Sequence, residues 1–192
     1  MSELPTILTE RLVLRPFTDA DAAAVHRLAG DRRIADTTLL IPHPYSEGAA
    51  HGWIATHEAS WELGRGLTLA IARRTTSELL GAIGLNLAPE HHSAEMGYWI
   101  GVPFWGQGLC TEAARAVVEH GFNHLELHRI HAYHFARNTA SGRVLEKAGM
   151  TREGFRRGAL LKWGRYEDIT LYGILREDWQ RHQAAAPPRA PV

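Results

Sequence analysis

The segment PFWGQGLCTEAARAVVEHGF, residues 103–122, constrains the fold of this chain more than any other stretch of the sequence. Its second half predicts a helix, because small or apolar residues recur at the spacing of one helical face. These residues are Cys110, Ala113, Ala114, Val117, Gly121 and Phe122. Such a face packs on a sheet, so the chain must also supply strands. The residues before the helix include Gly106 and Gly108 and no side chain that commonly caps a helix.

The start of this helix predicts a binding site for an anion. Its first amide groups have no intrahelical acceptor, and the two glycines let another molecule approach the backbone closely. The positive end of the helix dipole favours negative charge at the same place, and Thr111 adds a hydroxyl. The alternative is an ordinary strand-to-helix turn that happens to contain glycine.

Two known phosphate-binding motifs do not fit this segment. A Walker loop needs Lys and then Ser or Thr after its last glycine, where this chain has Leu109 and Cys110. A dinucleotide fingerprint needs a third glycine, and neither Glu112 nor Ala113 provides it. Backbone amides rather than a lysine would therefore hold the anion. Such a site suits a pyrophosphate bound without a catalytic metal.

Composition limits the classes of protein to consider. With 192 residues, of which 45% are hydrophobic and 22% charged, the chain suits one domain, to which we assign residues 1–180. The tail QAAAPPRAPV cannot build a core, so we expect residues 181–192 to be disordered. The 21 basic and 21 acidic residues cancel, which gives no overall attraction to nucleic acid or to a membrane. One cysteine and a start without a leader pattern indicate a soluble cytoplasmic protein that has no disulfide framework.

Hydrophobic periods along the chain predict alternating strands and helices. In order, they are a strand, two helices, three strands joined by short turns, a helix, a strand, a helix and a strand. The ranges are 11–17, 18–30, 46–64, 67–74, 79–87, 93–102, 110–122, 127–135, 138–149 and 166–175. Short turns make the three middle strands antiparallel, whereas helical crossovers make the later strands parallel. We expect an α+β fold, with a mixed sheet flanked by helices.

Four separated segments resemble the GNAT superfamily of N-acetyltransferases, and within it the RimJ/RimL type. They are TERLVLRPFTDADA, GYWIGVPFWGQGLCTEA, NTASGRVLEKAGM and GRYEDITLYGIL, and the likeness covers residues 9–179. The resemblance implies the acyl-CoA N-acyltransferase fold, with acetyl-CoA as co-substrate and direct transfer of acetyl to a primary amine without a metal. RimJ/RimL-type enzymes acetylate protein N-terminal α-amines, which makes a protein N-terminus the favoured acceptor.

The resemblance also assigns roles to individual positions. The backbone amides that would hold the pyrophosphate of acetyl-CoA are those of Gly106, Gln107, Gly108, Leu109, Cys110 and Thr111. The strand residues that would run beside the pantetheine arm are Tyr98, Trp99 and Ile100. Asn138 would form a hydrogen bond with that arm, and Ser141 would lie near the thioester sulfur.

Departures from the family pattern shape the catalytic assignment. The tyrosine that many relatives use as an acid falls at Leu145, which favours the hydroxyl of Ser141 as proton donor to the leaving thiolate. An acidic residue that some N-terminal acetyltransferases carry on a late hairpin aligns with Leu160. We therefore take Glu95, on the strand before the glycine loop, as the candidate base, acting directly or through water.

Several other residues have ordinary structural explanations. Cys110 lies on the apolar helix face, which favours packing over a role as nucleophile. The twelve histidines form no spacing typical of a metal site, so we expect solvated imidazoles and no metal. Four aromatic side chains either line an acceptor pocket or belong to the core; they are His43, Tyr45, Trp53 and Trp163.

Three points stay open at the level of sequence. The acceptor could instead be a small amine such as an amino acid, a polyamine or an aminoglycoside. The chain could also be a non-catalytic CoA-binding module that keeps the fold without the proton-transfer groups. The oligomeric state is undetermined, with a homodimer as one alternative.

Overall fold

A computed structural model of the chain describes residues 3–185 and contains one eight-stranded sheet. The strands are β1 (Ile7–Leu8), β2 (Leu12–Arg15), β3 (Gly66–Arg73), β4 (Leu79–Ala88), β5 (Ser93–Ile100), β6 (Arg129–Phe135), β7 (Thr151–Lys162) and β8 (Arg165–Leu175). Their order across the sheet is β1-β2-β3-β4-β5-β6-β8-β7. The helices are α1 (Ala22–Ala29), α2 (Arg32–Thr37), α3 (Ala49–Ile54), α4 (Thr56–Glu62), α5 (Leu109–His124), α6 (Thr139–Lys147) and α7 (Arg176–Ala185).

Helices cover both faces of the sheet and bury a core on each. The larger core lies under α5 and α6, where Val117 and Phe122 meet strand residues such as Leu69 and Ile83. The smaller core lies under α1 to α3 and includes Val25 and Trp99. Together with the mixed sheet, this confirms the expected α+β architecture.

Strand directions agree with expectation in the middle of the sheet and differ at its far end. Strands β3, β4 and β5 form an antiparallel meander, and β6 is parallel to β5. The expectation that the last strand runs parallel to its neighbour is wrong, because β8 pairs antiparallel with β6. The cause is β7, an unpredicted strand that carries the chain back before β8 begins. Its sequence, TREGFRRGALLK, is rich in arginine and glycine, and most of its residues are exposed, so no alternating apolar pattern marks it.

The helices also differ in detail from the sequence pattern. The stretch expected as one helix over 46–64 is two helices, α3 and α4, which meet at Ala55. The short helix α2 was not predicted; it begins after Asp31, whose side chain accepts a hydrogen bond from the amide of Arg33. Helix α6 begins and ends as predicted, with Asn138 as its cap and Gly149 at a φ of 93° beyond its end.

The C-terminal boundary is described only in part. Helix α7 extends to Ala185, so it includes the first residues of the segment 181–192. Residues 186–192 lie outside the described residues, and the assignment of a disordered tail stays a prediction there.

His57, on helix α4, is a buried titratable side chain. It is 6% exposed, and its ring packs against Trp53 at a centroid distance of 4.4 Å and against Phe17 at 5.4 Å. Neither ring nitrogen has a hydrogen-bond partner within residues 3–185. Burial lowers the pKa of His57 to about 4, because the charged ring would lose its hydration without gaining a partner.

This burial predicts a loss of stability in mild acid. The unfolded chain binds a proton on His57 near pH 6.5, whereas the folded chain does so only near pH 4, so lowering the pH between these values favours unfolding. Between pH 7 and pH 5, the loss from this group is about 2 kcal/mol, or about 4–8 °C in Tm for a chain of this length. We expect His57→Phe to remove that part of the pH dependence in thermal denaturation.

The control for this measurement is an exposed histidine. The His91 side chain is largely exposed, so His91→Phe should leave the difference in Tm between pH 7 and pH 5 unchanged. A difference as large in His57→Phe as in the parent would contradict the assignment.

Candidate active site

The central feature of the site is a gap between two neighbouring parallel strands. Strands β5 and β6 pair only where Ser93–Glu95 lies opposite Arg129–His131. Beyond these three residues, β5 continues to Ile100 and β6 to Phe135 without further ladder pairs between them among the described residues. The two strands therefore separate toward their C-terminal ends and leave an opening in the middle of the sheet.

Backbone groups of β5 line this gap. The amide of Gly101 donates to the carbonyl of Leu80 on β4 at 2.8 Å. Because backbone groups alternate sides along a strand, the amides and carbonyls of Tyr98 and Ile100 face away from β4, toward the gap. The Ile100 carbonyl accepts a hydrogen bond from the Trp105 indole at 2.7 Å. The amide of Tyr98 is thus presented to the gap as a donor.

The three β5 residues assigned to the cofactor do not have equivalent positions. The Trp99 side chain is buried in the smaller core, and its residue pairs with Ala82 on β4. Tyr98 packs against the larger core on the other face. Only Tyr98 and Ile100 therefore present backbone groups to the gap.

At one end of the gap, a glycine loop leads into the first turn of α5. Gly106 and Gly108 both have φ of 75°, in the left-handed region that favours glycine. Helix α5 begins at Leu109, and its N-cap, Gly108, provides no side-chain hydrogen bond. A Cβ at Gly106 would meet no atom within 4 Å, and one at Gly108 would meet only the Arg11 guanidinium at 3.6 Å. The backbone at Gly106 and Gly108, directly before the first turn, therefore lies beside open space.

A charged network that the sequence analysis missed lies next to this loop. The guanidinium of Arg11 donates to the Gln107 carbonyl at 3.0 Å and to the Glu112 carboxylate at 2.7 Å. The hydroxyl of Thr9 donates to the same carboxylate at 2.6 Å. Burial opposes ionisation of Glu112, but the hydrogen bonds from Thr9 and Arg11 outweigh it and lower the pKa of this carboxyl. Arg11 therefore offsets the negative charge of Glu112 in the first turn of α5 and holds the glycine loop through the Gln107 carbonyl.

At the other end of the gap, three of the assigned residues meet. The Asn138 side chain accepts a hydrogen bond from the amide of Ser141 at 3.3 Å and caps α6. The Tyr98 hydroxyl lies 2.8 Å from the Ser141 hydroxyl and also donates to the Ser141 carbonyl at 3.1 Å. Burial raises the pKa of Tyr98, so this side chain stays a neutral phenol and can donate. Leu145, where many relatives have a tyrosine, is fully buried in the core.

Glu95 lies on the opposite face of the sheet from Ser141. Side chains alternate along β5, and Trp99 belongs to the smaller core, so Glu95 and Gly97 share its face. Glu95 is 38% exposed, and its carboxylate oxygen lies 3.7 Å from Nε2 of His131. A Cβ at Gly97 would meet no atom within 4 Å. Solvent or a ligand can therefore reach Glu95, and the structure separates it from the Tyr98–Ser141 pair.

The hairpin of β7 and β8 faces a loop, residues 38–45, that follows α2 and that we call the acceptor loop. The Lys162 ammonium donates to the carbonyls of Leu39 and Ile41, each at 2.9 Å. Trp163 in the hairpin turn is 48% exposed, and its ring lies 6.4 Å from that of His43.

The four aromatic candidates thus divide into two pairs. His43 and Trp163 lie where the acceptor loop meets the hairpin. Tyr45 and Trp53 pack against the smaller core. The first pair is the more exposed, and Tyr45, although half-buried, lies beside His43 at the surface.

A carboxylate does occur on the hairpin, directly across from Leu160. That residue is Glu167 on β8, and its side chain is 7% exposed and contacts Arg137 and Arg165. The hydrogen bond from Arg137, with a further contribution from Arg165, outweighs burial and lowers the pKa of Glu167. A carboxylate held this strongly in its ionised form is a weak base, so it does not replace Glu95 as a candidate.

The remaining reactive side chains have little catalytic potential. Burial raises the pKa of the Cys110 thiol to about 12, which leaves almost no thiolate at neutral pH. No cluster of three or more His, Cys, Asp or Glu residues within 3–185 is arranged to hold a metal ion. In the same range, no helix is both long enough and apolar enough to cross a membrane.

The family assignment follows from comparison with known proteins. Residues 11–151 match the model of the acetyltransferase (GNAT) domain. The chain is 36% identical over 173 residues to the uncharacterized N-acetyltransferase YoaA of Bacillus subtilis, covering 90% of this chain and 97% of that protein. It is 28% identical over 182 residues to the [ribosomal protein uS5]-alanine N-acetyltransferase of Escherichia coli, covering 90% and 92%.

Solved structures agree with the family match. Mycobacterium smegmatis RimJ, determined in complex with CoA-disulfide, superposes with a TM-score of 0.82 at 26% identity and covers 95% of both chains. The chain therefore belongs to the GNAT family of acetyltransferases and is an N-acetyltransferase.

Proposed function

We propose that this enzyme transfers acetyl from acetyl-CoA directly to the α-amine of a protein N-terminus. The observation that carries the proposal is the gap between β5 and β6, which has bare helix amides at one end and the Tyr98–Ser141 pair at the other. The likeness to a [ribosomal protein uS5]-alanine N-acetyltransferase and to RimJ supports a protein acceptor.

The residues around the gap fit an acetyl-CoA molecule laid along β5. The amides of residues 106–111 would hold the pyrophosphate through hydrogen bonds and the helix dipole. The carbonyl of Tyr98 and the amide of Ile100, which face the gap, would bind the amides of the pantetheine arm, and Asn138, just beyond the end of β6, would hold it from the other side. The thioester end would then lie near Ser141.

Each proton transfer has its own candidate group. Bound acetyl-CoA supplies an activated thioester, so the protein must position the amine, polarise the carbonyl and move protons. The amide of Tyr98 can stabilise negative charge on the carbonyl oxygen. Glu95 accepts the proton of the attacking amine, directly or through water. Ser141 donates a proton to the sulfur as the carbon–sulfur bond breaks and regains one from water, while the Tyr98 hydroxyl, 2.8 Å from the Ser141 oxygen, holds the serine side chain in place.

The state of Cys110 supports direct transfer. A two-step route through an acetylated enzyme would need an exposed and ionised nucleophile. The raised pKa of Cys110 and its place on α5 rule against that role. Both substrates would therefore be bound together when the acetyl group moves.

The acceptor class and the role of Glu95 are tested by one set of rate measurements. A protein α-amine has a pKa near 8 and an alkylamine near 10.4, so a site with a modest base handles the N-terminus more easily at neutral pH. We expect peptide N-termini to be acetylated in preference to alkylamines, and Glu95→Gln to lower turnover by about ten- to a hundredfold. The measurement is thiol release against pH with both acceptors.

Glu90→Gln is the control for this experiment, since Glu90 is exposed in the turn before β5 and should act like the parent. If Glu95→Gln matches the parent at every pH, another group removes the proton. If only the alkylamine is acetylated, the N-terminal acceptor class is wrong while the acetyltransferase assignment stands.

A further inference from the structure

We propose that Arg137 is a positioning residue that couples the acceptor loop to the turn that holds the cofactor. The inference rests on the proposed function in one respect: it takes the surface where the acceptor loop meets the β7–β8 hairpin as the place where the amine enters. It assigns to Arg137 a role in aligning the two substrates rather than in contacting either of them.

Arg137 joins three separate segments through one guanidinium group. Its Nη1 donates to the Asp36 carboxylate at 2.7 Å, and its Nη2 also donates to the Asp36 backbone carbonyl. Its Nε donates to Glu167 on β8 at 2.9 Å. Asp36 lies in the last turn of α2, two residues before the first residue of the acceptor loop. The side chain therefore ties the start of that loop to the strand that forms one side of the hairpin.

The geometry of these contacts requires arginine. A guanidinium has donors in a fixed planar fork and can bond two carboxylates and a carbonyl at once, whereas an ammonium is a single compact charge. The buried carboxylate of Glu167 is also bound by Arg165 at 2.6 Å, so it keeps one cationic partner when Arg137 is replaced. Loss of Arg137 therefore frees the loop without leaving Glu167 unpaired.

The acceptor loop depends on such external contacts. Its sequence, TLLIPHPY, contains no Asp, Glu, Lys or Arg. Lys162 binds two carbonyls in its first half, and Arg137 fixes the residue at which it departs from α2. Leu40, between the two bound carbonyls, is 87% exposed, and apolar contact with the smaller core is made by Ile41 and Tyr45.

The backbone of Arg137 connects its side-chain contacts with the turn that we assign to the cofactor. The next residue is Asn138, whose amide donates to the Phe135 carbonyl at 2.7 Å and whose side chain caps α6 at Ser141. The Arg137 guanidinium also lies 5.3 Å from the centre of the Phe135 ring at the end of β6. A shift of the acceptor loop is therefore transmitted to the residue immediately before the pantetheine-binding asparagine. The consequence is a fixed distance between the incoming amine and the thioester, to which reaction rates are very sensitive.

The test compares Arg137→Met with Arg137→Lys and with Arg157→Met as control, since Arg157 is exposed on the same hairpin. With the peptide acceptor, we expect Arg137→Met to raise the acceptor KM about tenfold or more and to change the Kd of acetyl-CoA by less than about threefold. Arg137→Lys should give an intermediate KM, because its single charge reaches only one carboxylate. Arg157→Met should match the parent.

Asp36→Asn provides a second, surface-exposed variant that leaves Arg137 and Glu167 in place. Asp36→Asn should reproduce most of the rise in acceptor KM. The double variant with Arg137→Met should have the same acceptor KM as Arg137→Met alone, because both substitutions disrupt the same contact between Arg137 and Asp36. Equal losses in kcat and in both substrate affinities, tracking a fall in Tm, would show a merely structural role and overturn the proposal.

A measurement without turnover separates this inference from the proposed acceptor. If the parent acetylates no peptide, the proposed function fails, and hydrogen exchange of the CoA-bound protein still tests Arg137. We expect Arg137→Met to accelerate exchange at residues 38–45 and at 138–141 by about tenfold relative to Arg157→Met. Unchanged exchange in both segments would overturn the coupling.

Discussion

Replacing Gly108 with valine is expected to abolish the stabilisation that acetyl-CoA gives to the protein. At a hundred times its Kd, a ligand that binds only the folded state stabilises it by about 2.7 kcal/mol. For a chain of this length, that stabilisation raises Tm by about 5–11 °C. The φ of 75° at Gly108 is strongly unfavourable for a β-branched residue, so valine would turn the amides of the first α5 turn away from the ligand. Thermal denaturation with and without acetyl-CoA measures the effect, and magnesium should make no difference.

A substitution at a second glycine, Gly64, distinguishes loss of acetyl-CoA binding from general backbone strain. Gly64, which follows α4, has a φ of 66° and open space around its Cβ position, which closely resembles the environment of Gly108. We expect Gly64→Val to lower the Tm of the free protein by a similar amount and to keep the full shift with acetyl-CoA. A full shift in Gly108→Val would show that the glycine loop does not hold the cofactor.

Removing the Ser141 hydroxyl is expected to lower turnover by about a hundredfold, the lower end of the range for loss of a general acid. Acetyl-CoA should bind almost as before, because the hydrogen bond to sulfur matures only as the thiolate leaves. Tyr98→Phe should have a smaller effect, about tenfold, since it removes the group that orients the serine hydroxyl and leaves the hydroxyl itself. Pre-steady-state thiol release with saturating substrates reports these changes in the chemical step.

Thr139→Ala is the matched control, because Thr139 is an exposed hydroxyl in the first turn of the same helix. It should retain the turnover of the parent. If Ser141→Ala turns over as fast as Thr139→Ala, the sulfur takes its proton from water, and the assignment of Ser141 is wrong.

Local patterns in the sequence were sufficient for the parts of the fold that depend on neighbouring residues. The start of α5 after Gly108 and the cap of α6 at Asn138 each follow from a few adjacent side chains. The meander of β3 to β5 follows from alternating apolar residues and short turns. Strand β7 gave no such signal, because its apolar burial is low and Gly154 and Gly158 interrupt it. Missing one strand was enough to reverse the expected direction of β8.

The site shows the same division between near and distant contacts. The glycine loop was visible in the sequence, whereas Arg11 contacts it from 96 residues away. The phenol of Tyr98 meets Ser141 across 43 residues, and Arg137 meets Asp36 across 101. Such contacts depend on how the sheet brings its strands together. A single sequence contains no periodicity that reports them.

The placement of Glu95 and Ser141 on opposite faces of the sheet has a kinetic consequence. In the proposed mechanism, the amine approaches from the face of the sheet that carries Glu95 and is deprotonated there. The sulfur is protonated on the opposite face, and the reacting atoms meet in the gap between β5 and β6. Neither substrate blocks the entrance of its partner, and neither product must leave before the other. Binding and release in random order through a ternary complex is therefore the scheme that this architecture favours.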